Sequence, residues 1–417
     1  MRRAGYFNFI LKNRDFLGFG FLLTFICSLG QTFFIGFYNG HIREAFSLSN
    51  SGFGALYGLA TLASAMTLIS AGRLIDRMDL RVYTLSVLAL MLLGCLLMAA
   101  GSTIWMLAPA LALLRLSGQG LLPHISNTSM GRYFDETRGR AVSIAHLGLN
   151  AGQVALPLLA AWLIGRSGWR ASWLVYALTL ALLVMPLVVW LLRDHPRRHA
   201  KWVELELRTA RARDPRDRSL SLKKLLLGDR RFVTILPGIL SISLFGTSLL
   251  FFQDELLAAR GWGAAWFAWS FPFYSVGMLA AVLGCGWLVD RLGNSLKLLP
   301  FVYVPFIVAL LVLSCAEAPG WLPLMLLLIG VSHGLVAVVG GTLWPELYGT
   351  EALGRIRALV NATMVMGTAV MPTLVGYLYD AGVSISASYL AFAAYMLICG
   401  ILQLPLGYRR GASDVRV

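Results

Sequence analysis

A single arginine in the middle of a long apolar run is the residue with the clearest chemical potential in this sequence. Arg115 lies inside the run of about 104–129, and a charged side chain at the centre of a bilayer costs at least about 2.5–3.5 kcal/mol on insertion scales. Its planar guanidinium suits a carboxylate or a phosphate, and Gln119 lies one turn further along the same helix face. This arrangement indicates an anion-binding residue. The alternative is an architectural role, in which Arg115 binds a helix-end carbonyl or neighbouring polar groups and never contacts a ligand.

Two histidines in apolar runs could carry protons, because the unperturbed pKa of imidazole lies near 6.5. One of them belongs to a stripe in the run of about 139–164, where spacings of 4, 3 and 4 place four residues on one helix face. These residues are His146, Asn150, Gln153 and Pro157. The other, His333, lies near the middle of the run of about 320–344. For each histidine the alternative is a neutral, hydrogen-bonded packing residue.

Small polar and aromatic side chains in the other apolar runs could complete a binding site. The candidates are Ser28, Gln31, Tyr57, Thr247, Tyr274 and Asn361. Such residues also serve helix packing within membranes, so both interpretations stay open at this point.

The elements that position these residues are membrane-spanning helices. The chain has 417 residues, of which 58% are hydrophobic and 13% charged, whereas about 25% of the residues in a soluble domain are charged. A transmembrane helix needs about 20 largely apolar residues. Twelve runs qualify, at about 16–40, 50–74, 82–101, 104–129, 139–164, 170–192, 231–256, 266–288, 297–315, 320–344, 354–379 and 386–407. The sequence therefore predicts an all-α integral membrane protein with twelve transmembrane helices.

The basic residues predict the orientation of these helices. With both termini placed in the cytoplasm, 30 of the 35 Lys and Arg residues fall on the inner side, and only Arg43, Arg166, Arg170 and Arg260 fall outside. Cytoplasmic loops carry such an excess of positive charge. The net charge of +15 is therefore explained by topology, and no nucleic-acid partner is expected.

Several kinds of chemistry are missing from the sequence. No Asp or Glu lies in the middle of an apolar run, which disfavours a bound organic cation and, beside Arg115, favours an anion. The sequence has no GK[ST] phosphate loop, no HExxH and no GxSxG, and its five cysteines stand singly. These absences argue against an ATP-driven pump, a hydrolase and a metal site, and no cofactor is expected.

A hydrophilic break at 193–230 divides the chain into two similar halves. The predicted domains are an N-terminal bundle at 1–192, a linker at 193–230 and a C-terminal bundle at 231–417. The linker has a basic face that could contact anionic lipid heads, although a solvated linker is the simpler interpretation. The residues of this face are Arg208, Arg211, Arg213, Lys223 and Lys224. The segment Gly72–Arg77 recurs as Gly286–Arg291 at an offset of 214 residues, so the two halves are expected to be internal repeats.

These repeats and motifs resemble the major facilitator superfamily of transporters. Gly72, Asp76, Arg77 and Arg81 match the signature loop between its second and third helices, with Asp79 where the family usually has Gly. The fourth-helix segment 114–120 and the spaced glycines of helix five are also similar. The resemblance implies two pseudo-symmetric six-helix bundles around a central site.

A finer resemblance is to the bacterial branch near the monocarboxylate and oxalate–formate transporters. It rests on the segments 30–36, 51–57, 138–144 and 372–380. Members of that branch carry small organic anions, often with a proton. The resemblance also implies a bacterial inner-membrane location.

The signature loops could act as conformational locks. Asp76 and, by pseudo-symmetry, Asp290 would stabilise the N-termini of helices eleven and five when the cytoplasmic side is closed. The alternative is that they only fix topology. The residues expected to govern conformational change are Gly72, Asp76, Arg77, Arg81, Arg138, Asp290, Arg291 and Arg355.

The sequence as a whole favours a secondary transporter that moves a small organic anion by alternating access. Its expected partners are a small-molecule substrate, membrane lipid and protons, and we expect it to function as a monomer. One alternative is efflux of drug-like compounds or of a siderophore-like metabolite. Another is a non-transporting sensor on a carrier scaffold. An enzyme is the least favoured class, because no nucleophile–base set appears.

Overall fold

A computed structural model describes residues 2–134, 137–200, 229–292, 294–349 and 353–408. These residues are helical with short connections, and no strand occurs among them. The chain divides into two compact units. The first comprises Met1–Leu48 and Leu59–Arg216, and the second comprises Ser49–Gly58 and Asp217–Val417.

Eleven helical stretches within the described ranges are long and apolar enough to cross a membrane. A shorter apolar stretch, Leu299–Cys315, coincides with the ninth predicted run. The prediction of an all-α membrane protein is therefore confirmed. The eleven stretches are Asn8–Gly36, Asn50–Asp76, Leu80–Ala100, Ile104–Tyr133, Arg138–Ser167, Trp169–Leu191, Arg230–Phe251, Ala264–Val289, Pro319–Tyr348, Arg355–Asp380 and Ile385–Leu406.

Several of these stretches consist of more than one helical segment. The α-helices N-terminal to the linker are α1 (Arg2–Ile26), α2 (Thr32–Gly36), α3 (Asn39–Phe46), α4 (Asn50–Ala71), α5 (Leu80–Ala100), α6 (Ile104–Leu114), α7 (Leu122–Tyr133), α8 (Arg138–Ser167), α9 (Trp169–Thr179) and α10 (Met185–Leu191). Those C-terminal to it are α11 (Arg230–Phe251), α12 (Gln253–Arg260), α13 (Ala264–Leu292), α14 (Val304–Cys315), α15 (Leu322–Tyr348), α16 (Leu353–Asp380) and α17 (Ile385–Tyr408).

Glycines allow the main helices of each unit to pack closely. In the first unit, a Cβ atom added to Gly148 of α8 would lie 2.0 Å from the carbonyl oxygen of Phe21 in α1. In the second unit, a Cβ atom added to Gly330 of α15 would lie 2.0 Å from the carbonyl oxygen of Tyr274 in α13. Membrane helices lack a hydrophobic drive to associate, so small residues that bring backbones together supply much of the packing.

The turn after α4 shows how Asp79 replaces the usual glycine. A 3₁₀ segment, Gly72–Asp76, ends the span, and Asp79 is the N-cap of α5. The Asp79 carboxylate accepts hydrogen bonds from the backbone N–H groups of Arg81 at 2.9 Å and Val82 at 3.3 Å. Capping of this kind satisfies donors that have no partner within the helix.

Gly148→Ala should destabilise the first unit, because the added methyl group has no room against the backbone of α1. We expect a loss of about 1–3 kcal/mol, as in other overpacked sites, seen as a lower melting temperature in detergent. Gly165→Ala in the same helix is the matched control, since nothing lies within 4 Å of its added Cβ. An equal effect of the two substitutions would contradict the close α1–α8 contact.

Candidate functional site

The first membrane span is broken near its middle. After α1, residues Cys27–Gly30 form a 3₁₀ turn, and Gln31 is extended (φ −81°, ψ 151°) before α2 begins. Such a break removes backbone hydrogen bonds inside a region where water is scarce. The released carbonyl groups therefore need other donors.

Arg115 supplies such a donor. Its side chain is only 1% exposed, and its Nη1 donates to the carbonyl oxygen of Gly30 at 3.1 Å and to the hydroxyl of Thr32 at 3.3 Å. Its Nε donates to the hydroxyl of Thr61 in α4 at 3.1 Å. The guanidinium thus joins α4 and both sides of the break in the first span.

Arg115 begins a π-helical segment, Arg115–Leu121. This segment lies directly against the break: a Cβ atom added to Gly118 would lie 2.6 Å from Cα of Gly30. Gln119 in the same segment is exposed, whereas Arg115 is buried. Irregular turns of this kind are frequent at functional sites.

The predicted polar stripe on α8 varies in burial along its length. His146 is exposed, Asn150 is half-buried and Gln153 is buried. On the facing helix segment, Gln31 is half-buried, and its Nε2 donates to the thiol of Cys27 at 3.8 Å. The Ser28 hydroxyl is buried and has no hydrogen-bond partner among the residues that the structure describes.

The second unit places His333 where α15 meets α11. Its Nδ1 pairs with the carbonyl oxygen of Ile329 at 2.9 Å. The other edge of the ring faces Gly246 of α11, where an added Cβ atom would lie 2.8 Å from Nε2. The ring centroid also lies 5.5 Å from that of Tyr274 and 5.9 Å from that of Phe306.

The remaining candidates in the second unit do not join this cluster. Tyr57 is buried, and its ring lies 4.6 Å from that of Phe251. Thr247 is half-buried, and Asn361 is exposed. Of the predicted residues in the second unit, Tyr274 contacts His333, and the contacts described above do not connect Tyr57, Thr247 or Asn361 to it.

Asp380, at the end of α16, has a role that the sequence did not reveal. Its carboxylate accepts hydrogen bonds from the backbone N–H groups of Asn50 at 3.0 Å and Ser51 at 2.8 Å, and from the Ser51 hydroxyl at 2.5 Å. All of these residues belong to the second unit. A negative charge at this position stabilises the positive end of the α4 dipole. The sequence placed Asp380 near a helix end, but the partner is 330 residues away in the chain.

The predicted conformational residues contact groups near the ends of the spans. Asp76 forms an ion pair with Arg132, and Nη2 of Arg81 donates to the carbonyl oxygen of Leu192 at 2.9 Å. The carbonyl oxygen of Gly72 pairs with His124 at 3.1 Å.

The other members of that set lie at exposed or half-buried positions or stack on a neighbouring ring. Arg77 and Arg138 are exposed, and Arg355 is half-buried. The guanidinium of Arg291 lies 5.2 Å above the ring of Trp287. The side chain of Asp290 and the basic linker residues Arg208, Arg211, Arg213, Lys223 and Lys224 lie outside the described residues.

The segment after α10 packs onto the first unit, although the sequence assigns it to a linker. The ring of His195 is stacked on Phe16 at 6.3 Å and meets Tyr133 edge-on at 5.4 Å. His195 lies outside the membrane spans, and burial lowers its pKa to about 4. This histidine is therefore neutral at pH 7, in keeping with a packing role.

A family comparison covers nearly the whole chain. The model of the "Major Facilitator Superfamily" matches residues 20–361 and 239–414. The chain belongs to the major facilitator superfamily. This membership makes it a transporter rather than an enzyme.

Three curated relatives of this superfamily member are named for carboxylate transport. The chain is 24% identical over 372 residues to the cis,cis-muconate transport protein of Acinetobacter baylyi, covering 87% of this chain and 86% of the relative. It is 26% identical to monocarboxylate transporter 13 of Bos taurus, covering 73% and 68% of the two chains. It is 27% identical to the gallate transporter of Pseudomonas putida, covering 45% and 43%.

Solved structures share the fold. A bacterial homologue of the human lysosomal transporter Spinster, in an inward-facing and occupied conformation, has a TM-score of 0.67 at 15% identity and covers 96% of both chains. A POT family transporter in complex with 5-aminolevulinic acid has a TM-score of 0.64 at 12% identity, covering 95% of this chain and 96% of that one.

Asp380→Ala should destabilise the second unit, because the first turn of α4 loses the acceptor for two backbone N–H groups. We expect a loss of about 0.5–2 kcal/mol, the usual cost of removing a helix cap, measured by thermal unfolding in detergent. Glu317→Ala is the control, since that exposed residue offers only its backbone carbonyl to Trp262. If both variants have the melting temperature of the wild type, the Asp380 cap does not contribute to the stability of the second unit.

Proposed function

We propose that this major facilitator protein is a secondary active transporter that moves a small organic anion, a carboxylate, by alternating access. The observation that carries the proposal is the buried guanidinium of Arg115 at the break in the first span. A carboxylate is favoured because the spans carry no mid-membrane Asp or Glu that would suit a cation. The names of the three curated relatives support the same substrate class.

Arg115 would create a positive potential around the break. Its Nη1 is already engaged with Gly30 and Thr32, so it also holds the backbone that surrounds the substrate in place. Electrostatic attraction is strong there because a low-dielectric region screens charge poorly. We propose that Ser28, Gln31, Gln119, His146 and Asn150 contribute polar contacts to the substrate from the same unit.

In the second unit, we propose that Tyr57, Thr247, Tyr274, His333 and Asn361 contribute to substrate recognition. His333 and His146 are the proposed proton-coupling groups, because imidazole can gain and lose a proton near neutral pH. The signature-loop residues are proposed to govern the conformational change. The proposed location is the bacterial inner membrane, with both termini in the cytoplasm.

Arg115→Gln should abolish carboxylate selectivity, because a neutral amide cannot replace a charge-assisted hydrogen bond worth about 1.5–3 kcal/mol. We expect at least about a tenfold loss of apparent affinity for the transported carboxylate. The measurement is counterflow in proteoliposomes with cis,cis-muconate, gallate and small monocarboxylates, each compared with its neutral amide. Saturable flux of an acid but not of its amide supports the proposal.

Two further variants separate a substrate-binding role of Arg115 from a purely structural one. Thr61→Val removes the acceptor of Arg115 Nε but keeps the charge, so it should reduce affinity less than Arg115→Gln. Arg166→Gln, at an exposed arginine near the end of α8, is the charge-matched control and should transport normally. If only lipophilic cations or bulky neutral compounds are moved, efflux of drug-like compounds replaces the carboxylate proposal.

His333→Gln should remove the acceleration of uptake by an imposed proton gradient while preserving counterflow, since counterflow needs no net proton movement. His146→Gln tests the other candidate in the same way, and His41→Gln, at an exposed histidine outside both clusters, is the control. The measurement is initial uptake between pH 5.5 and 8 with and without the gradient. Unchanged gradient dependence in both test variants would rule out histidine-mediated coupling.

A further inference from the structure

A cavity of about 660 Å³ lies in the second unit, where several membrane-length helices end. Arg230 and Arg231 at the start of α11 line it, together with Leu347 near the end of α15 and Pro405 and Leu406 near the end of α17. The spans of these three helices begin or end at Arg230, Tyr348 and Leu406. The cavity is therefore at the level where the apolar spans give way to polar chain.

The charged groups of this cavity are not equivalent. The carboxylate of Asp229 accepts from the backbone N–H of Arg231 at 2.8 Å and from the Tyr348 hydroxyl at 2.7 Å. The carboxylate of Glu346 accepts from the backbone N–H of Ser295 at 2.9 Å and from its hydroxyl at 2.6 Å. All four carboxylate oxygens thus have donors from the protein itself.

The two arginines are placed differently. Arg230 and Arg231 are exposed, and neither guanidinium has a hydrogen-bond or ion-pair partner among the residues that the structure describes. Both arginines line one cavity, and guanidinium donors suit a phosphate, whose oxygens accept several charge-assisted hydrogen bonds. Leu347, Pro405 and Leu406 add apolar side chains to the lining of the same cavity.

The first unit has a counterpart of this cavity at the corresponding position in its helix order. A cavity of about 320 Å³ lies where the first span begins and the sixth span ends. Lys12 and Arg14 line it from α1, Leu191 lines it from α10, and Arg198 lies with its guanidinium 4.6 Å above the ring of Phe16. Basic residues on the first helix and apolar residues on the last helix therefore recur in both repeats.

We propose that the cavity of the second unit binds an anionic membrane phospholipid. Its phosphate would lie between the guanidinium groups of Arg230 and Arg231, and the start of its acyl chains would contact Leu347, Pro405 and Leu406. A lipid is favoured over a soluble phosphate because part of the lining is apolar and the cavity lies at the ends of membrane spans. Juxtamembrane basic residues also gain from the negative surface potential of a membrane leaflet.

The test measures lipid binding to delipidated full-length protein in a mild detergent, through native mass spectrometry and thermal unfolding. The probes are phosphatidylglycerol, phosphatidylcholine and sn-glycerol 3-phosphate. We expect phosphatidylglycerol to bind and to raise the melting temperature, with weaker binding of the zwitterionic lipid and none of the soluble phosphate. The double variant Arg230→Gln/Arg231→Gln should weaken phosphatidylglycerol binding at least about tenfold, since two charge-assisted contacts are lost.

Two control variants keep this result specific. Arg166→Gln removes one exposed positive charge from the first unit and should bind phosphatidylglycerol as the wild type does. Arg230→Lys/Arg231→Lys keeps the charge without the planar fork, and its affinity should fall between those of the wild type and the double Gln variant.

Three results would overturn the proposal. Phosphatidylglycerol binding that is unchanged in the double Gln variant would exclude these arginines. Equal binding of phosphatidylcholine would show that the headgroup charge is not recognised. Binding of sn-glycerol 3-phosphate as tight as that of the lipid would make the cavity a soluble-phosphate site instead.

Discussion

A broken helix inside a membrane leaves backbone carbonyl groups that water cannot satisfy, and the first unit is organised around this constraint. The break at Gly30 and Gln31 releases such groups, and Arg115 donates to the carbonyl oxygen of Gly30. This hydrogen bond lowers both the cost of burying the charge and the cost of breaking the helix, because it gives the guanidinium an acceptor and the carbonyl a donor. Gly118 then allows the π-helical segment to lie directly on the break.

The second unit brings the corresponding helices together with the imidazole ring of His333 instead of a guanidinium. Its first span, α11, runs from Arg230 to Phe251 with Pro237 inside it. The Gln403 amide donates to the carbonyl oxygens of Thr234 at 3.0 Å and Ile235 at 3.4 Å in this helix. His333 fills the space beside Gly246 and hydrogen-bonds within its own helix. The two units thus share a helix order but differ in the chemistry of this helix contact.

The sequence predicted the helices and the unusual residues better than it predicted their contacts. Hydropathy depends on composition over about 20 residues, so the predicted runs lie within about five residues of the observed spans. The start of the first span is the exception, because that span begins at Asn8 rather than near residue 16. Arg115 was conspicuous because a charge is costly in such a run. The sequence does not reveal that the first span breaks at Gly30. The Gly30 carbonyl oxygen there is hydrogen-bonded by Arg115, which lies 85 positions away in the chain.

Two other features could not be predicted from the sequence, because they too depend on residues distant in the chain. The cap that Asp380 forms on α4 joins residues 330 positions apart, and the packing of His195 on Phe16 extends the first unit into a segment that is hydrophilic by composition. Asp79 is a contrasting case, because it caps the helix that begins at the next residue. A cap formed by the residue just before a helix can be predicted from the sequence, whereas the partner of a cap that is distant in the chain depends on the tertiary fold.

The attachment of Arg115 to Gly30 and Thr61 has an electrical consequence. Its charge is hydrogen-bonded to the Gly30 backbone of the first span and to the Thr61 hydroxyl of α4, so it moves with these helices. Moving one elementary charge across the whole membrane potential changes the free energy by about 2.3 kcal/mol per 100 mV. In the proposed alternating-access mechanism, a displacement of these helices along the membrane normal carries gating charge, and the membrane voltage then biases which conformation the empty carrier occupies.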